Sequence, residues 1–262
     1  MKLPVTPVIE THYKTKSQSP SLLARLSPSV GFYSKMARIV FRSSREAKRG
    51  EYKDVHWAAS SREIMEALES TGVQIEIENI EMLKKLNTPC VFVANHMSTL
   101  ETFILPAIIQ PLRNVVFVVK RELTEYPVFR YVNNSRNPII VDRKNPKDDL
   151  KAILDGGAER LKNGISVIVF PQTTRTTDID PKTFNSIGVK LAARAGVPIV
   201  PIALRSDAWG MGKLIKDFGK INPAKPVKFC FGEPIPVIGT GKEAHEKVIE
   251  FISGKLNEWF HR

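Results

Sequence analysis

Cysteine is scarce in this chain of 262 residues: only Cys90 and Cys230 occur. Two thiols cannot make a disulfide framework. Both sit in apolar, strand-like runs, Cys90-Val91-Phe92-Val93 and Lys228-Phe229-Cys230-Phe231. They are therefore expected as reduced, buried core residues. Long hydrophobic runs are missing too. The longest uncharged stretch, Leu86 to Leu100, has fifteen residues and contains Asn87, Pro89, Asn95 and His96. A membrane span needs about 20 mostly apolar residues. The opening MKLPVTPVIETHYK has no long apolar core, so no secretory leader is expected. Nucleotide signatures fail. Gly239-Thr240-Gly241-Lys242 has Pro236 where a P-loop needs its first glycine, and Glu243 after the lysine. No strand-like run is followed by Gly-x-Gly-x-x-Gly, no Gly-x-Ser-x-Gly elbow occurs, and no His/Cys cluster has metal spacing. Neither a metal nor a bound cofactor is expected.

What the chain does have is positive charge. The net charge is +12, with 42% hydrophobic and 25% charged residues. Such a composition is ordinary for a globular domain able to bury a sizeable core. The charge implies an anionic partner: nucleic acid, a membrane face or a phosphorylated substrate. It is unevenly spread. Residues 1–56 hold eleven Lys/Arg against four Asp/Glu, a net +7.

Residues 1–20, with Pro4, Pro7 and Pro20, predict an irregular arm. Residues 21–43 read as a helix interrupted near its start by Pro28. Lys35, Arg38 and Arg42 share one face, and Phe32, Tyr33, Met36, Ile39, Val40 and Phe41 fill the rest. This is a basic amphipathic helix suited to an anionic lipid surface. A polar stretch from Arg45 to Asp54 follows, then a helix over about 56–71 ending at Gly72. Residues 21–72 thus read as an amphipathic helical pair preceding a domain over 73–262. In that domain strand-like runs at 73–77, 90–94, 115–119, 138–141, 165–170, 199–204 and 227–231 alternate with helical patterns at 99–109, 148–161, 184–194 and 242–260. The alternation predicts an α/β fold, a mostly parallel central sheet with helices on both faces. Chemistry in such sheets sits at the carboxyl ends of strands, after Ala94 and after Phe170.

After Ala94 comes Asn95-His96-Met97-Ser98-Thr99-Leu100-Glu101. An imidazole at a strand end can act as a general base near neutral pH, better so when a carboxylate on its other nitrogen fixes the tautomer. Glu101 in the first helical turn is placed to reach back to His96. The same spacing also reads as a capping box, with Ser98 as N-cap and Glu101 at N3. Both readings stand at this point. The other histidines, His12, His56, His245 and His261, lie in the arm, the helices or the terminus. After Phe170 comes Pro171-Gln172-Thr173-Thr174-Arg175-Thr176. Hydroxyls around a guanidinium suit a phosphate group; a solvated polar loop is the plainer alternative.

Four blocks in order carry a family resemblance. Asn95-His96…Glu101 resembles the His-x-x-x-x-Asp signature of the 1-acylglycerol-3-phosphate and glycerol-3-phosphate acyltransferase superfamily. Phe170-Pro171-Gln172-Thr173-Thr174-Arg175-Thr176 is similar to its Phe-Pro-Glu-Gly-Thr-Arg-Ser block. Lys120-Arg121-Glu122-Leu123, Tyr126-Pro127-Val128-Phe129 and Ile140-Val141-Asp142-Arg143 resemble its second block, and Val197-Pro198-Ile199-Val200-Pro201-Ile202-Ala203 its fourth. The resemblance covers about residues 85–205.

It implies transfer of a fatty acyl group from a coenzyme A or acyl-carrier-protein thioester to the hydroxyl of a lysophospholipid such as 1-acylglycerol-3-phosphate. His96 takes the role of base and Glu101 that of the family's aspartate. Arg143 and Arg175, with Lys120 nearby, are implied to hold the acceptor phosphate, with Gln172, Thr173 and Thr174 lining the substrate. Membrane attachment through an N-terminal helical pair is implied as well. It agrees with the reading of residues 21–71 and suggests a peripheral or monotopic protein on the cytoplasmic face. Glu101, Gln172 and Thr173 depart from the family's Asp, Glu and Gly. Those departures leave open another acceptor, such as glycerol-3-phosphate, or a lipid-surface binding protein without catalysis. Nucleic acid is the less favoured partner, because the basic residues of 21–43 alternate with a broad apolar surface rather than a stacking groove.

Overall fold

Every residue of β3 (Val91–Ala94) is buried, and its side chains alternate between two cores. Phe92 and Ala94 face one, Val91 and Val93 the other. The structure, a computed structural model, describes residues 11–16, 20, 22–172, 174–213 and 215–261.

β3 lies within an eight-stranded sheet of order β1-β2-β8-β7-β3-β6-β4-β5. The other strands are β1 (Tyr13–Lys14), β2 (Ile75–Glu78), β4 (Val115–Lys120), β5 (Ile139–Val141), β6 (Ser166–Val169), β7 (Ile199–Arg205) and β8 (Val227–Phe231). β7, β3, β6, β4 and β5 run parallel as a block. β8 is antiparallel to β7 and parallel to β2, and β1 closes that edge antiparallel to β2. This is the expected mostly parallel α/β sheet.

One face carries α2 (Pro28–Lys48), α3 (Asp54–Glu69) and α4 (Leu100–Ile109), whose apolar sides join Phe92, Ile168, Val200 and Phe229 in one core. The other carries α7 (Pro146–Lys162), α8 (Ile187–Ala195) and α9 (Lys242–Phe260), packed on Val91, Val167 and Ile199. Gly188 brings α8 close to β3: a Cβ there would lie 2.6 Å from Val93 Cγ2. Both cysteines are buried and free, as expected.

The N-terminal helices do not stand apart from the sheet. The short α1 (Leu22–Leu26) leads into α2, whose Phe32 meets the Trp209 ring edge-on at 5.0 Å. The Tyr33 hydroxyl donates to the Gly219 carbonyl at 2.6 Å. Burying side chains of this size contributes about 1.5–3 kcal/mol each, so α2 and α3 are part of the main core. Lys35, Arg38 and Arg42 face outward on α2, as the spacing predicts, and Phe41 is exposed beside them.

Several local expectations change. Arg45–Lys48 continue α2 rather than forming a polar loop. They are good helix formers, and the turn comes at Gly50, whose φ is +74°. Within the expected irregular arm, Tyr13–Lys14 form a strand, anchored where Tyr13 and Thr15 both donate to Glu69 at 2.6 Å. The helix expected from Phe184 starts at Ile187, because Asn185 Oδ1 accepts the Ile187 N–H and the chain turns there. Two short helices, α5 (Arg121–Glu125) and α6 (Phe129–Ser135), were not expected. Each spans under two turns, too short for a periodic signal, and Pro127 separates them.

Candidate active site

Asn95, the first residue past β3, is tied to β7. Its Nδ2 donates to the Leu204 carbonyl and its Oδ1 accepts the Leu204 N–H, both at 2.8 Å. This pair of hydrogen bonds between side chain and strand fixes where the chain leaves the sheet and delivers His96. The His96 backbone is held as well. Its N–H donates to Gln172 Oε1 at 2.6 Å, and its carbonyl accepts the Thr176 N–H at 3.0 Å. The ring stacks on Phe170 at 4.6 Å, with its side chain 17% exposed.

His96 Nδ1 lies 2.9 Å from Glu101 Oε1. Glu101 is 0% exposed, a placement that would be costly without partners. The same Oε1 accepts the N–H groups of Met97 at 2.7 Å and Ser98 at 3.0 Å. Oε2 accepts from the Ser206 hydroxyl at 2.7 Å and lies 3.0 Å from Ser98 Oγ. Burial pushes the carboxyl pKa up, but the hydrogen bond and charge of His96, then Ser206 and Ser98, outweigh it and hold it below the ordinary value. Glu101 is therefore an ionised acceptor. Nδ1 then carries the proton, and in the neutral ring the lone pair falls on Nε2. That is the form of a histidine ready to act as general base.

The contacts that the relay and the capping readings of Glu101 each require are thus both present on one carboxylate, which meets His96 Nδ1 and accepts the Ser98 N–H. The cap position itself falls on Thr99, one residue later than expected, and Ser98 Oγ accepts the Leu100 N–H at 3.0 Å. Glutamate in place of the family's aspartate fits this geometry. The longer arm satisfies two backbone donors and still reaches the imidazole.

The 171–176 loop sits against His96, through Thr176. Gln172 faces inward: besides accepting the His96 N–H, its Nε2 donates to Thr176 Oγ1 at 2.6 Å and to the Asp178 carbonyl at 3.2 Å. Its amide is engaged in bracing the loop, not turned toward a substrate as expected. A glutamate could accept from His96 but could not donate to Asp178, which accounts for the amide here. Thr174 is exposed; Thr173 lies outside the described residues. Arg175 forms an ion pair with Asp217, whose Oδ1 also lies 3.4 Å from Thr99 Oγ1. Lys120 ends β4 and Arg143 follows β5, two and three strands along from β3 at the same end of the sheet. At strand spacings of about 4.8 Å their backbones stand roughly 10 and 14 Å from that of His96. Lys120 and Arg143 thus stand along the carboxyl ends of the sheet, and the Thr176 bond to the His96 carbonyl brings Arg175 to the same end.

Three site residues escaped the sequence reading as participants. Ser206 follows β7 and enters only through the fold. Asp217 lies in a loop with no motif. Phe170 was read as a strand end, though an aromatic next to a polar loop is a signal that a ring will cover something.

Fold and site together define an α/β protein with an imidazole–carboxylate pair at a strand end, beside an arginine-bearing loop. A family model described as Acyltransferase matches residues 74–205, half of the chain, and the chain belongs to that family. It is 38% identical over 132 residues to a 1-acyl-sn-glycerol-3-phosphate acyltransferase of Pseudomonas aeruginosa, covering 50% of this chain and 49% of that protein. It is 31% identical over 140 residues to the chloroplastic 1-acyl-sn-glycerol-3-phosphate acyltransferase BAT2 of Brassica napus, covering 53% and 38%. The chain matches about half the length, or less, of these two relatives. In fold it is similar to the crystal structure of PlsC, the 1-acyl-sn-glycerophosphate (LPA) acyltransferase of Thermotoga maritima. The TM-score is 0.65 and the identity 21%, over 92% of this chain and 96% of the other.

Proposed function

We propose that the chain is an O-acyltransferase that moves a fatty acyl group from a coenzyme A or acyl-carrier-protein thioester to the free hydroxyl of 1-acylglycerol-3-phosphate. The observation that carries this reading is the His96–Glu101 pair, with Nδ1 held by an ionised carboxylate, so that Nε2 is the basic atom of the neutral ring. Nε2 takes the hydroxyl proton as the oxygen attacks the thioester carbonyl. Glu101 stabilises the resulting imidazolium. Collapse of the tetrahedral intermediate breaks the carbon–sulfur bond, and the imidazolium returns the proton to the departing thiolate. The products are an ester and a free thiol. The names of the relatives support the acceptor. A labelled acyl thioester incubated with a panel of lysolipids tests it: labelled diacylglycerol phosphate is expected as the main product. Label appearing only in phosphate-free acceptors would overturn the choice of acceptor.

Arg175 is assigned to the acceptor phosphate. Arg175→Ala should raise KM for 1-acylglycerol-3-phosphate by about 10-fold or more, since charged hydrogen bonds contribute roughly 1.5–3 kcal/mol. A phosphate-free monoacylglycerol should be affected little. Equal losses on both acceptors would give the loop another job.

No helix among the described residues is long and apolar enough to cross a membrane. The reading places the protein on the cytoplasmic membrane surface through the outward face of α2, where Lys35, Arg38, Arg42 and Arg45 surround exposed Phe41. Arg42 is tied to Glu46 and Glu63, so Arg38 and Arg45 are the better probes. Reversing both to Glu should weaken binding to anionic vesicles by on the order of 10-fold or more at low salt, at about 1 kcal/mol per basic residue. Unchanged flotation would put the membrane contact elsewhere. Deleting the helices is the poorer test, because it uncovers Trp209 and the sheet face.

A further inference from the structure

The arginine beside Thr176, on the segment bonded to the His96 backbone, is already occupied. Arg175 is joined to Asp217, and the same Asp217 oxygen is 3.4 Å from Thr99 Oγ1. These two partners flank His96 in different ways. Thr99 lies three residues after it, and Thr176, next to Arg175, donates its N–H to the His96 carbonyl. Asp217 therefore places a carboxylate between Thr99 and Arg175, on the two segments that flank His96. It comes from far along the chain, on the β7–β8 connection, where Gly210 N–H bonds to the Lys220 carbonyl and closes a loop over 210–220. Its side chain is 37% exposed, against 22% for Arg175, so solvent reaches the pair from the Asp217 side.

We propose that Asp217 is a specificity residue, a tethered anion on Arg175 that only a phosphomonoester head group displaces efficiently. The proposal rests on the acyltransferase reading above and deepens it. Two anions compete for Arg175, and their charges decide the outcome. A carboxylate held on a short loop competes at an effective concentration in the millimolar range. It carries one negative charge and pairs well with a guanidinium. A phosphodiester also carries one, so exchanging Asp217 for it gains little. A phosphomonoester carries about −1.5 to −2 near pH 7 and offers three acceptor oxygens, so it gains more from Arg175 than Asp217 does. Lys213, Lys216 and Lys220 keep the loop cationic after Asp217 has left, which favours the doubly charged head group further. The site thus favours 1-acylglycerol-3-phosphate over lysolipids whose phosphate already carries an alcohol.

The test compares the full-length wild type with Asp217→Asn and Asp217→Ala on two acceptors, 1-acylglycerol-3-phosphate and 1-acylglycerophosphoglycerol, with KM and kcat determined separately. Asparagine keeps an acceptor oxygen for Arg175 and loses the charge, so the loop stays tethered; thermal melting checks this. The expected result is a fall in the monoester-to-diester ratio of kcat/KM by roughly 5- to 10-fold, the size of one modest charge-pair difference, arising mainly from a lower KM for the diester. Alanine should shift the ratio the same way. An unchanged ratio, or a KM that rises in parallel for both acceptors, overturns the proposal and leaves Asp217 as a group that merely positions Arg175. If wild type acylates neither lysolipid, the acyltransferase reading falls and takes the proposal with it. If wild type prefers the monoester and Asp217→Asn keeps that preference, the proposal falls alone.

Discussion

His96→Ala is expected to cut the turnover of acyl thioester and lysolipid by about 100-fold or more, because a positioned acid–base group contributes roughly 10²–10⁴. The loss should fall on kcat. Arg175, proposed above for the acceptor phosphate, is untouched by removal of the ring. The fold should survive. The hydrogen bonds that fix this segment use the His96 backbone, to Gln172 and Thr176, and the Asn95 side chain, to Leu204. What the mutation removes is the ring stacked on Phe170 and its contact to Glu101 Oε1, a carboxylate that keeps the Met97 and Ser98 N–H groups and the Ser206 hydroxyl as donors. Steady-state kinetics and thermal melting on one preparation decide the matter. A variant with wild-type melting and wild-type turnover removes His96 from the mechanism.

Glu101→Gln is expected to lose most of the activity while keeping the structure. The amide oxygen can take the place of Oε1, accepting from His96 Nδ1, Met97 N–H and Ser98 N–H. The amide nitrogen then faces Ser98 and Ser206, whose hydroxyls can rotate to accept. Stability should stay within about 2 kcal/mol, the difference between neutral and charged hydrogen bonds being offset by the easier burial of an amide. What disappears is the negative charge that favours an imidazolium beside it. Acid behaviour gives a second reading. The carboxyl is held below its ordinary 4.5, so its charge contributes stability above that pH and loses it as the pH falls through the lower, folded-state value. The variant should lack that part of the acid slope. Wild-type turnover in Glu101→Gln would end the relay assignment and leave the carboxylate as a helix cap alone.

Much of the fold could be read from the chain because the buried parallel strands are short apolar runs set between helices, and the motif blocks mark their carboxyl ends. β3, β6 and β7 were legible for that reason, and so was the pairing of His96 with Glu101 as one of two options. Sequence spacing could not choose between cap and relay, because one carboxylate satisfies both. Gln172 was read from a residue type that suits a ligand, and the hydrogen bonds of its amide to His96 N–H, Thr176 and Asp178 come only with the fold. Ser206 and Asp217 were invisible. Each reaches the site from more than 100 and 40 residues away respectively, by contacts to Glu101 and Arg175, and neither carries a local pattern. α5 and α6 were missed for want of length. The separate N-terminal pair was a reading of charge. Its basic face does point outward, while Phe32 and Met36 on the inner face belong to the main core.

The central claim is direct acyl transfer to a lipid hydroxyl activated by His96. The measurement that tests it most directly follows free thiol and acylated lipid in the same reaction of wild-type protein with an acyl thioester, with and without 1-acylglycerol-3-phosphate. One thiol is expected for each diacylglycerol phosphate formed, and almost no thiol without the acceptor. Thiol release that proceeds equally without the acceptor, with free fatty acid as its product, would contradict it.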